Sequence, residues 1–166
     1  SIIAAVFITR SITSPISKCI DFADKVESGD TSLQVTSDSK DETGLLLSSL
    51  EKMVSSIKAL VTDAGMLSKA AVDGKLDTRA DASKHQGDYR KIVEGVNGTL
   101  DAVIGPLNVA AEYVDRISKG DIPQKITDTY HGDFNEIKNN LNQCIDALNM
   151  LISQMRNMAD EHNKGD

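Results

Sequence analysis

The chain has 166 residues, enough for one compact domain or for several small units in series. A net charge of -7 and a pI near 4.9 argue against a nucleic-acid partner, because neutralising phosphates takes a clustered basic face. Hydrophobic residues make up 40% but aromatics only 4%, and tryptophan is absent, so small and aliphatic side chains must do the packing.

At the N-terminus, Ile2 to Ile8 is an uncharged run, short of the ~20 apolar residues that cross a bilayer. It lacks the cleavage site of a signal peptide, and Arg10 follows it closely, as at the cytoplasmic end of a membrane helix. Residues 1–9 are therefore expected to be the cytoplasmic end of a transmembrane helix. Cys19 and Cys144 each stand among aliphatic residues at helical spacing and are expected as small core hydrophobes, not as a disulfide.

A repeat governs the rest of the chain. "VESGDTSLQV", "AVDGKLDTRA", "ISKGDIPQKI" and "HNKGD" align on Gly29, Gly74, Gly120 and Gly165, at spacings of 45, 46 and 45 residues. Each glycine ends an amphipathic helical pattern, where a left-handed cap falls, and opens a linker. Every linker closes on an acid beside a glycine: Asp41, Glu42 and Gly44 in "DETG", Gly87 and Asp88 in "QGDY", Gly132 and Asp133 in "HGDF". An acid there suits the free amides and the positive end of the helix that follows.

Leu46, Leu50, Met53, Ile57, Leu60, Ala64, Leu67 and Ala71 then recur at alternating steps of 4 and 3, a heptad seam that calls for a partner helix. The next two long helices differ. From Tyr89 through Ile92, Val96, Leu100 and Val103, and from Phe134 through Ile137, Leu141, Ile145 and Leu148, the steps run 3, 4, 4, 3. The doubled 4 is a stutter that relaxes supercoiling. It leaves two near-equivalent core residues at each place, Thr99 or Leu100 and Cys144 or Ile145. In the linkers, Leu33 with Val35, Leu76 with Ala80 and Ile122 with Ile126 are expected to dock between helices, since a free linker would be polar throughout.

Helix, Gly-Asp, extended linker with apolar anchors, acid-glycine cap and second helix, in about 45 to 50 residues, resembles the HAMP domain of bacterial transmembrane receptors. Pro15 matches the proline that opens the first HAMP helix, and "DETG" the signature that opens the second; Thr31 departs from the pattern and Leu33 takes over as anchor. Pro106 repeats the helix-opening proline. The units expected are 10–63, then divergent copies at 64–104 and 105–149, and the first helix of a fourth at 150–166. The resemblance implies an all-α parallel homodimer of stacked four-helix bundles, with Glu42 tethering the two helices of the first unit through a bond to the backbone near Pro15. It also implies a non-enzymatic relay in the cytoplasmic portion of an inner-membrane receptor. Such a relay joins an upstream sensor to a downstream output in the same chain, most often a chemotaxis signalling domain, with a sensor histidine kinase as the alternative and a passive coiled-coil spacer as a second.

Sharper chemistry is not supported. His85, His131 and His162 lie outside any phosphoacceptor or HExxH setting and are expected to cap or to be solvated. Asp41 and Glu42 resemble an acid–base pair but have no nucleophile or phosphate loop beside them. "NGT" at 97–99 falls inside a long helix, where a glycosylation match is chance. Gly65, Gly95, Gly98 and Gly105 weaken their helices by up to ~1 kcal/mol each, and are expected as tolerated surface or tightly packed positions or as a means to keep the junctions marginal. No cofactor, metal, nucleic acid or small-molecule ligand is expected.

Overall fold

Three glycines stop three helices by the same turn. The computed structural model describes residue 2, residues 9–33 and residues 41–165. In it α1 (Ser14–Glu27) ends ahead of Gly29, α2 (Glu42–Val72) ahead of Gly74 and α3 (Gly87–Ser118) ahead of Gly120; α4 (Asp133–Lys164) follows the last connector. The three glycines have φ of 90°, 73° and 80°. Their N–H groups donate to Val26, Ala71 and Ile117, and the next residues, Asp30, Lys75 and Asp121, donate to Lys25, Ala70 and Arg116. This double turn satisfies two carbonyls the helix leaves open, and its left-handed backbone would strain any residue with a β-carbon. Gly165 differs, with φ of -91°: its N–H donates to His162, and residue 166, which would carry the second bond, lies outside the described residues.

All regular structure among the described residues is helical. A short π-helical turn, Thr9–Thr13, runs into α1, with Pro15 in the first turn where its missing N–H costs nothing. Residues 3–8, which carry most of the expected membrane-helix end, lie outside the described residues, as does Val35. No described helix is long and apolar enough to cross a membrane.

The expected boundaries at 63/64, 104/105 and 149/150 all fall inside unbroken helices, since α2, α3 and α4 have 31, 32 and 32 residues. Pro106 accordingly lies within α3 and does not open a helix. A proline there leaves one carbonyl a turn earlier without its helical partner, and the long helix carries that loss.

The chain divides into two compact units, Ser1–Asn97 and Gly98–Asp166. In the first, α1 packs on α2, burying Cys19 and Phe22 of one and Leu47 and Val54 of the other. Further along, Leu60, Ala64 and Leu67 of α2 share an apolar groove with Ala80 and with Ile92, Val93 and Val96 of α3. In the second unit, Val109 and Ala110 of α3, Ile126 of the connector, and Phe134, Ile137 and Leu141 of α4 line a corresponding groove.

Packing within the chain does not use the heptad seam alone. Leu47, Val54 and Val93, each 3% exposed, face the interior, while their neighbours Leu46, Met53 and Ile92 remain 47%, 42% and 50% exposed. Each of these helices therefore carries two adjoining apolar stripes. A two-stranded coiled coil needs one stripe; a helix in a bundle needs both, because it has neighbours on two sides.

Candidate functional site

The connectors carry most of the residues of interest. Leu33 is half-buried and lines a cavity with Phe22 of α1 and Val54 of α2, beside Thr31 and Glu51. In the second connector Leu76 is exposed and Ala80 is buried; in the third, Ile122 is half-buried and Ile126 buried. The second member of each described pair is thus the deep anchor, and Leu76 stays exposed within the single chain. Pro123 is buried as well.

The caps divide into two kinds. Asp41 is the N-cap of α2, its Oδ1 accepting from the amides of Thr43 and Gly44 at 3.1 Å each and from the Thr43 hydroxyl at 2.7 Å. That bond set explains an acid three residues before Gly44, which is itself buried against the helix start. Gly132 is the N-cap of α4 without a side-chain bond, and both Gly87 and Gly132 have positive φ, 57° and 54°. Asp88 and Asp133 then lie inside the first turn, where their charge faces the positive end of the helix; Asp88 accepts from Lys91 Nζ at 2.8 Å. Glu42, the first residue of α2, is exposed, and no hydrogen bond joins it to the described backbone around Pro15. With Asp41 holding the free amides, the implied tether is not formed within the single chain.

His85 corrects the expectation of a solvated or capping histidine. It is 5% exposed, and its Nε2 stands 2.7 Å from Asp63 Oδ2 of α2, a ring N–H donating to a carboxylate. A buried imidazole needs such a partner, and Asp63 lies on the helix face against which the connector packs. His131 and His162 are exposed. His85→Leu and Asp63→Ala should each lower unfolding free energy by about 1–3 kcal/mol, since each strands the other group. Urea unfolding of the two variants and of the double variant should give a coupling of about 0.5–3 kcal/mol; simple additivity would mean that the pair contributes nothing jointly.

Electrostatics elsewhere stiffen the turns. The Ser32 hydroxyl and amide hold the Asp30 carboxyl below the usual carboxylate range, Ser83 does the same for Asp81, and Arg116 for Asp121, across the Gly120 turn, at 2.7 Å. A carboxyl depressed in the folded state stabilises it at neutral pH, and that contribution is lost as pH falls through the folded value. Acid should therefore loosen all three turns.

At the stutters, Leu100 is half-buried and Thr99 exposed; Ile145 is 1% exposed and Cys144 exposed. Cys144 is thus not the core hydrophobe expected, whereas Cys19 is buried. Among the described residues, no group of three or more His, Cys, Asp or Glu side chains could hold a metal. Two side chains that sequence reasoning passed over stand out: Asn97 and Asn142 hold the backbone of Ala80 and Ile126. Their place, ten residues after Gly87 and Gly132, was the available signal.

Two family models match the chain, both described as the HAMP domain, one over residues 7–59 and the other over residues 84–150. The chain is also similar to the methyl-accepting chemotaxis protein McpB of Pseudomonas aeruginosa, at 24% identity over 101 residues, which is 61% of this chain and 15% of that relative. The chain thus spans about a sixth of that protein's length or less. No solved structure matches it. Both matches are to one family, and their helices end in glycine turns of one pattern: the chain belongs to the HAMP domain family, whose members are signal-relay modules, and carries its domains in tandem.

Proposed function

We propose that this chain relays conformational change from a membrane sensor to a chemotaxis output domain, as a parallel homodimer on the cytoplasmic side of the membrane. The observation that carries this reading is the unfilled seam. Leu46, Met53, Ile92, Val96, Val103 and Leu107 stay exposed at 41–50% while adjacent residues pack within the chain. Full burial of such a side chain contributes about 1.5–3 kcal/mol and roughly half of that is still open at each position, so a second copy presenting the same seam is the economical partner. The similarity to a chemotaxis protein supports a chemoreceptor output over a histidine kinase. No part of the relay requires catalysis. Units 10–63, 64–104 and 105–149 are its successive stages, with 150–166 beginning a fourth, and the stutters are where one stage hands its packing to the next.

A relay needs two packings within a few kcal/mol of each other. The stutter supplies them, because a fraction of a turn exchanges Leu100 for Thr99 in the core. Thr99→Leu should favour one packing and Leu100→Thr the other. In the intact receptor the two substitutions should lock output in opposite directions while the dimer persists, read by output activity with and without stimulus. If both lower output alike, or neither alters it, the stutter is structural slack.

A further inference from the structure

The second and third connectors are each held by one asparagine from the helix that follows. Asn97 Oδ1 accepts from the Ala80 amide at 3.1 Å while its Nδ2 donates to the Ala80 carbonyl at 2.8 Å. Asn142 does the same with Ile126, accepting at 2.8 Å and donating at 3.0 Å. A carboxamide is the side chain that can meet both backbone groups of one residue in this way, since it offers an acceptor and a donor side by side. Both anchors are buried, at 5% and 7% exposure, so their backbone groups need partners.

The match is not a by-product of equal lengths. Gly74 and Gly87 are 13 residues apart, Gly120 and Gly132 only 12, yet both asparagines select the residue six past the first glycine. The extra residue lies after the anchor, where, of these two, the second connector forms a 3-10 turn, Ala82–Lys84. In an extended segment a slip of one residue would turn the anchor to the opposite face and break both bonds together. Lys125, beside Ile126, adds an ion pair to Asp146 of α4 at 2.6 Å. In the first unit Glu51 and Lys52, not asparagine, occupy the corresponding positions.

We propose that Asn97 and Asn142 are positioning residues of the relay: each locks its connector in register on the second helix of its unit, so that connector and helix move as one body when the packing changes. The proposal rests on the relay reading above. It is tested in two steps. Amide hydrogen exchange on the whole chain should show slow protons at Ala80 and Ile126. Asn97→Ala should speed Ala80 about tenfold, the loss expected for one ordinary net hydrogen bond, and leave Ile126 alone; Asn142→Ala should do the reverse. Asn97→Asp and Asn142→Asp, which keep size and one acceptor but lose the donor, decide the matter if alanine unfolds the unit: a smaller local acceleration is expected. Unchanged exchange in these variants overturns the lock. In the intact receptor the same variants should shift the stimulus needed for half-maximal output. Freed amides with unaltered output overturn the positioning role, and if Leu50→Asp still silences that receptor, the relay reading stands without it.

Discussion

Leu50→Asp should turn the chain into a monomer at micromolar concentrations where the unaltered chain sediments as a dimer. Leu50 is half-buried in the single chain and one helical turn from Leu46 and Met53, both exposed and both on the same seam. A second copy covering that seam would bury the position fully. A carboxylate placed there has no cation facing it along the seam, and an uncompensated buried charge costs several kcal/mol per chain, felt twice in a symmetric pair. Ile137→Asp repeats the experiment in α4, on the groove shared with Ile126 and Phe134. Sedimentation equilibrium reads both. Dimers that survive both substitutions, with helicity intact, would remove the seam from the interface.

Ile145→Ala is the expected severe lesion within a protomer. At 1% exposure Ile145 is the most completely buried large side chain described, so the truncation leaves a cavity in the packed interior. The cost is about 2–5 kcal/mol, measurable by urea or thermal unfolding. Cys144→Ala, one residue away on the exposed side of the same stutter, should change stability by less than about 0.5 kcal/mol. The contrast makes the pair an internal control: equal losses would mean that both stutter residues are packed alike.

Much of the fold is written in local chemistry. The glycines at 29, 74 and 120 end helices because only a residue without a β-carbon takes their positive φ cheaply, and Asp41 caps α2 because a short acid reaches the free amides two and three residues on. Spacing of 3 and 4 marks α2, α3 and α4 for the same reason it marks any amphipathic helix, the 3.6-residue turn. Pro106 shows the limit of local reading: a proline that opens α1 in one place lies inside α3 in another, because a long packed helix tolerates one lost bond.

What the sequence by itself determined is therefore the set of helices, their ends and the family signature; what only the tertiary structure decided is which faces meet. Periodicity names a stripe but not its neighbour, so the inward stripe of Leu47 and Val54 emerged only beside α1, and Leu76 and Ala80, alike as apolar linker residues, separated into exposed and buried only in the fold. The pairs His85–Asp63, Asn97–Ala80 and Asn142–Ile126 join residues 16 to 22 positions apart. A hydrogen bond across such a span depends on where the connector lies against its helix, and that placement comes from packing, not from any run of adjacent residues.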